Sequence, residues 1–168
     1  ENPAVFRYRQ FAARPTRAME FGSVAHRVNL GKGDEYEVLD FPNRTTNAYK
    51  AADKAAVEAG RVPILKKDFE TVLAMAEVMR KDRTVAELME GAQVEQSIFW
   101  KQGGIWRRAM LDLINEKGPV DYKTTTRLSD YALAKTIWSY RYDMQLAWYP
   151  AACAAVEHSL GRRTRPAI

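Results

Sequence analysis

The stretch Ile105–Thr126, IWRRAMLDLINEKGPVDYKTTT, decides how this chain is read. Two apolar runs, Ile105–Ile114 and Pro119–Lys123, flank Asn115-Glu116-Lys117-Gly118. Gly118 and Pro119 are turn formers, so the pattern predicts a β-hairpin. Each run carries one acid among apolar neighbours, Asp112 and Asp121. Side chains at i and i+2 of a strand share a face. Asp121 and Lys123 are therefore expected together, and strand pairing would bring Asp112 towards Asp121. Two carboxylates at close quarters repel, and each raises the pKa of the other. A divalent cation between them resolves the conflict, and hard oxygen ligands with water suit Mg²⁺ or Mn²⁺. A lysine beside such a site can orient a water or stabilise charge on a phosphate. By itself Asp121-Tyr122-Lys123 carries little weight. The chain holds a similar triplet, Asp68-Phe69-Glu70, that reads as a helix cap. Asp112 alone could be a turn or edge-strand aspartate. Set between Leu111 and Leu113, however, it would be costly to bury without a partner.

The neighbouring segments place this hairpin in a larger sheet. Val94–Trp100, VEQSIFW, alternates and is aromatic, which predicts a strand, and Lys101-Gln102-Gly103-Gly104 predicts a turn. Three consecutive strands then form an antiparallel meander. Downstream, Ser129 or Asp130 to about Leu160 reads as helix in two pieces, broken near Tyr140–Tyr142. Pro150 predicts a kink or a helix end beside it, and Gly161 suits a helix C-terminus. Upstream, Thr16 is expected to cap a helix running to about Leu30, and Tyr36–Phe41 to form a short strand. Asn47–Gly60 reads as a helix and Val62–Leu65 as extended chain. Asp68 is expected to cap a helix with an apolar stripe of Phe69, Val72, Leu73, Ala76 and Met79. Thr84 and Glu87 match a capping box. Residues 1–15 read as a helix end or an arm. The fold class is α/β (α+β).

With 168 residues and 46% hydrophobic content, the chain can build one domain, 1–168, with a core of its own. The formal charge of +5 and a pI near 9.4 fit a polyanionic partner without demanding one. A single cysteine, Cys153, excludes an intrachain disulfide, a Cys₄ zinc site and an iron–sulfur cluster held by this chain alone. No apolar run approaches ~18 residues and no signal-peptide pattern is present. The expectation is a soluble intracellular protein with no membrane partner. Glu1 in place of Met suggests a piece of something longer.

Asp112 followed by Asp121-Tyr122-Lys123 resembles the D…(D/E)xK core of the PDDEXK nuclease superfamily. Thr124-Thr125, Gln145-x-x-x-Tyr149 and the upstream Gly22-Ser23-Val24-Ala25-His26 sharpen the resemblance to its RecB/lambda-exonuclease-like branch. Within that branch the chain looks most like the RecE-type exodeoxyribonuclease VIII C-terminal domain and its phage relatives. The likeness runs from about Phe21 to about Leu160. It implies a restriction-endonuclease-like core, a central mixed sheet with the antiparallel meander flanked by helices. It implies that Asp112, Asp121 and the backbone carbonyl of Tyr122 bind Mg²⁺ or Mn²⁺, with His26 as a further ligand. Glu95, on the first meander strand, would reach the metal directly or through water. Lys123 would orient the attacking water, and Gln145 and Tyr149 would face the site from one side of a helix.

Blander readings stand beside these. His26 could be a core histidine, Glu95 a solvent-facing strand residue, and Gln145 and Tyr149 a polar rim and a core aromatic. His158, near a helix end among small residues, reads as structural or surface. Arg107, Arg108, Arg127, Lys135, Arg141, Arg162, Arg163 and Arg165 could contact phosphates, but each alone reads first as a solvated charge.

The resemblance further implies a 5′→3′ exonuclease on double-stranded DNA ends, active in phage-type recombination beside a single-strand annealing protein. Relatives form rings around DNA, and the expected location is the cytoplasm of a bacterial or phage-infected cell. An endonuclease of the same superfamily stays open, as does an inactive DNA-binding or scaffold module. Members usually continue with one or two strands where this chain reaches Arg165–Ile168. Those C-terminal strands are therefore expected to be missing or supplied by a partner.

Overall fold

The computed structural model describes residues 14–159. Residues 1–13 of the N-terminal arm, Gly161, Arg162, Arg163, Arg165 and the start of any further C-terminal strand lie outside the described residues, as does the His158 side chain. The elements run α1 (Arg17–Leu30), β1 (Tyr36–Leu39), α2 (Asn47–Glu58), β2 (Val62–Leu65), α3 (Lys66–Lys81) and α4 (Arg83–Met89). Then follow β3 (Gln93–Gln102), β4 (Ile105–Asn115), β5 (Gly118–Val120), α5 (Asp130–Tyr140) and α6 (Tyr142–Ser159). They group into two compact units. The first holds 14–29 and 33–75, the second 30–32 and 76–159, so the boundary falls within α3.

In the first unit β1 and β2 pair in parallel, with Val38 opposite Ile64 and Leu39 opposite Leu65. Parallel neighbours need a crossover, and α2 supplies it. Thr46 starts α2 by accepting a hydrogen bond from the Tyr49 amide at 3.1 Å, which satisfies one of the donors a helix start leaves open. Tyr49, Leu39 and Leu65 are buried together, and the Phe41 ring meets Tyr49 edge-on at 5.9 Å.

Two acids are also buried in this unit, Glu20 of α1 and Asp53 of α2. Arg14 and Arg17 join them: Arg14 reaches Asp53 at 2.6 Å, and Arg17 reaches Glu20 at 2.6 Å and Asp53 at 2.9 Å. Burial by itself would push Asp53 up, but the hydrogen bonds from Arg17 and Arg14 outweigh it and hold the carboxyl below its ordinary range. A carboxylate with a lowered folded pKa contributes stability above its unfolded value, and that contribution is lost as pH falls through the folded value. Acid should therefore loosen this unit as pH drops below about 4, the ordinary aspartate range. In Asp53→Asn that limb of the pH–stability curve should flatten, as read by circular dichroism. An unchanged limb would mean that Asp53 is not the linked group.

Two helix starts differ from their expected positions. α3 begins at Lys66 directly after β2, so Asp68 lies in its first turn and pairs with Arg44 at 2.6 Å. A carboxylate in the first turn still complements the helix dipole. α4 is capped by Asp82, which accepts from the Val85 amide at 3.0 Å. Asp82 outcompetes Thr84 for the cap, and Glu87 pairs instead with Arg83 at 3.0 Å.

The second unit carries the antiparallel order β3-β4-β5. Gly103 and Gly104, both at positive φ, turn β3 into β4. The parallel and antiparallel pairings expected of one mixed sheet occur as two separate sheets among the described residues. Alternation decides what each strand buries. Ala109, Leu111 and Leu113 of β4 are buried while Arg108 and Met110 are exposed. α6 packs across β3 and β4 and places Tyr149 and Ala152 against Trp100, Ala109 and Leu111. The Trp148 and Trp100 rings lie 5.0 Å apart in the same cluster.

The break between α5 and α6 falls at Arg141, which takes the left-handed conformation at φ 55. α6 then continues through Pro150, so of the kink or helix end expected there the helix end does not occur. The proline removes the amide that would bond one turn back and crowds the carbonyl there, and the nearby Tyr149 and Ala152 hold the segment in the core.

Candidate active site

The second acid does not lie on a paired strand. β5 ends at Val120, and Asp121-Tyr122-Lys123 continues beyond it without ladder partners. The register still works in its favour. Leu113 pairs with Val120 and Ile114 with Pro119, so Asp121 emerges across from Asp112. The Tyr122 amide then donates to Asp112 Oδ2 at 2.8 Å. One hydrogen bond thus ties the two acid-bearing segments together at the point where the ladder stops.

Asp121 is nearly enclosed, its side chain 8% exposed. Lys123 Nζ lies 2.6 Å from its Oδ2. The Gln145 amide group donates to its Oδ1 at 2.9 Å, and the Tyr149 hydroxyl lies 3.4 Å from the same oxygen. Gln145 also donates to the Tyr149 hydroxyl. An amide nitrogen has two hydrogens and a phenol has one, so this small network can be satisfied throughout.

Gln145 and Tyr149 are one helical turn apart and share a face of α6. Tyr149 is both buried core and site wall, touching Trp100 and Leu111 as well as Asp121. Tyr142, which the sequence reading passed over, places its ring 5.4 Å from the Lys123 ammonium. Its spacing of three from Gln145 puts it on the same helix face, a signal the sequence does carry.

Burial pushes the Asp121 carboxyl above its ordinary range; Lys123 pulls it back, and the neighbouring charge of Asp112 pushes it up again. Burial likewise raises the Tyr149 and Tyr122 phenols. A raised carboxyl near a second carboxylate is the electrostatic condition that a bound cation relieves.

The donor set here is two carboxylates with a backbone carbonyl between Asp121 and Lys123. No group of three or more His, Cys, Asp or Glu side chains suited to a metal occurs among the described residues. Such a set fits Mg²⁺ or Mn²⁺ better than Zn²⁺. Magnesium is commonly held by one or two carboxylates, keeps several waters, and shares substrate phosphates. Structural zinc prefers four nitrogen or sulfur ligands.

Glu95 sits across the sheet from Asp112, because Val94 pairs with Leu113 and Gln96 with Leu111. The ladder is interrupted at Glu95, whose φ is 51. A glutamate in the left-handed region is strained by roughly 1–2 kcal/mol, and such strain concentrates at functional sites. His26 is half-buried on α1 of the first unit, whereas Asp112, Asp121, Lys123, Gln145 and Tyr149 all belong to the second. Of the arginines that could contact phosphates, Arg107 lies over the Trp148 ring at 5.3 Å, and Arg141 pairs with Asp143 at 3.2 Å.

An antiparallel sheet flanked by helices thus carries two acids and a lysine gathered at one sheet end. A family model described as a PDDEXK-like domain of unknown function (DUF3799) matches residues 6–168. The chain belongs to this PDDEXK-like family, which supports its place in the PDDEXK nuclease superfamily. The comparison with curated proteins and that with solved structures gave no match. No helix among the described residues is long and apolar enough to cross a membrane.

Proposed function

We propose that the protein is a metal-dependent deoxyribonuclease that hydrolyses DNA phosphodiester bonds, acting as a 5′→3′ exonuclease on double-stranded ends. The observation that carries this reading is the junction at the sheet end. Asp112 accepts from the Tyr122 amide, and Asp121 two residues from Lys123 is held by that lysine and by Gln145. Asp112, Asp121 and the Tyr122 carbonyl would hold Mg²⁺ or Mn²⁺, with Glu95 and His26 as further candidates. A cation bound there would lower the pKa of a water and offset charge growing on the scissile phosphate.

The chain's own groups do the rest. Lys123, held beside Asp121, orients the attacking water. Water attacks the phosphorus in line, and the P–O bond to the leaving oxygen breaks. Gln145 and Tyr149 fix the Asp121 carboxylate so that its oxygens do not rotate away. Tyr142 limits where the Lys123 ammonium can swing. The same reading assigns a role in phage-type recombination, with a single-strand annealing protein and further copies of this chain in a ring as partners, in the cytoplasm of a bacterial or phage-infected cell.

Linear end-labelled duplex and closed circular DNA, each with Mg²⁺, Mn²⁺ or EDTA, test the reading. Loss of the linear substrate alone, abolished by EDTA, is the expected result. Cleavage of the circle would make the protein an endonuclease. Binding without cleavage would make it a DNA-binding module with this fold.

A further inference from the structure

The β3–β4 hairpin has one face that α6 does not cover. Its register pairs Lys101 with Trp106, Phe99 with Arg108 and Ser97 with Met110. Directly opposed residues of an antiparallel pair point to the same side, and successive rows along that side are two residues apart. These six side chains therefore form one face, and all six are exposed. Trp106 is 71% exposed, Phe99 61% and Met110 51%. The opposite face of the same strands holds Trp100, Ala109 and Leu111, all buried. At the tip Gln102 and Ile105 of that opposite face are exposed as well, and further along the strands only the first face stays open.

The composition of this face is specific. Two large aromatic rings alternate across the strands with two cations, Lys101 and Arg108, and the six positions hold no acid. Neither cation forms an ion pair with a described residue. The face also has a direction. Beyond Met110 the next residue of β4 on this side is Asp112, opposite the point where the ladder breaks at Glu95. At about 3.4 Å per residue, Trp106 at the hairpin tip lies roughly 20 Å along the strand from Asp112. A row of rings and positive charge therefore leads straight to a candidate catalytic carboxylate.

We propose that this hairpin face is a track for single-stranded DNA, which passes the strand to be cut towards Asp112. The inference rests on the nuclease reading above and adds that the substrate strand reaches the centre unpaired. Exposed rings stack on the π-faces of unpaired bases, and interleaved cations follow the phosphates. A duplex keeps its bases stacked inside and would use only the cations. The rings are what select the single strand.

The test is binding of a fluorescently labelled oligo(dT) by anisotropy in EDTA, where no cleavage occurs. It compares wild type with Phe99→Ala/Trp106→Ala, Trp106→Phe and Lys101→Gln/Arg108→Gln, with a blunt duplex as the second ligand. Stacking losses amount to roughly 5- to 140-fold per ring. The double alanine variant should thus bind oligo(dT) at least tenfold more weakly, while its binding of blunt duplex changes less than threefold. Trp106→Phe should keep most of the affinity, and Lys101→Gln/Arg108→Gln should flatten the salt dependence. All substituted side chains are exposed, so melting temperatures should stay put. No binding of oligo(dT) by wild type would overturn the proposal. So would unchanged affinity in the double alanine variant, or an equal loss for duplex. A shift in oligomeric state with oligo(dT) affinity retained would also overturn it and make the face an interface between copies. Loss of oligo(dT) binding in the double variant, with no cleavage by wild type in Mg²⁺, would keep the track and discard the nuclease. Cleavage with unchanged binding in the double variant would do the reverse.

Discussion

Asp121→Asn should lose DNA cleavage by on the order of 10³-fold or more while the melting temperature of the metal-free protein stays the same or rises. The loss in rate follows from removing one of two gathered carboxylates, since metal and electrostatic stabilisation of the transition state supply several kcal/mol. The effect on stability runs the other way because the charge of Asp121 is unfavourable in the fold. Burial raises its pKa, and the negative charge of Asp112 adds to the rise against the pull of Lys123. Between the ordinary aspartate value and the raised one the folded state holds more protons than the unfolded state, so stability falls as pH rises through that window. The penalty is fully present above the raised value. Asn keeps an oxygen to accept from Gln145 and carries no charge. Activity assays beside thermal melts check both halves. A large drop in melting temperature would show that the Lys123–Asp121 pair stabilises the fold more than burial of Asp121 costs it.

Leu111→Ala should have the largest effect on stability, about 3–5 kcal/mol. Leu111 is 0% exposed, among the largest fully buried side chains, and sits in the cluster with Trp100, Ala109, Tyr149 and Ala152. Truncating it opens a cavity bounded by the sheet on one side and α6 on the other. Tyr149 forms part of that wall and also reaches Asp121, so the cavity should loosen the site as well. Urea titration monitored by tryptophan fluorescence measures the loss. A cost under 1 kcal/mol would mean that α6 collapses into the space, and Tyr149 would then shift relative to Asp121.

The family pattern was legible because its residues are close in sequence and chemically unusual. Asp112 and Asp121 among apolar neighbours, with Lys123 two residues on, mark the centre before any fold is known. The meander was legible for a similar reason, since alternation along Val94–Trp100 and Ile105–Ile114 and the Gly103-Gly104 turn are local signals. The break at Arg141 fell within the predicted window. Helix starts were less secure. Asp82 and Thr84 are both good caps two residues apart, and only the surrounding packing selects one of them.

What the sequence by itself determined is the chemistry available: two acids, a lysine, a helix bearing Gln145 and Tyr149, and a meander of three strands. Tertiary structure decided how those parts meet. Asp121 and Lys123 come together at 2.6 Å beyond the end of β5, where no ladder holds them. Packing beside α6 encloses Asp121 and leaves Lys123, Gln145 and Tyr149 as its partners. The strain at Glu95 and the exposure of Phe99 and Trp106 were likewise invisible in the sequence. Both depend on what lies across and above a strand, and a linear pattern carries period and polarity but not the neighbours that a sheet and a helix bring from far along the chain.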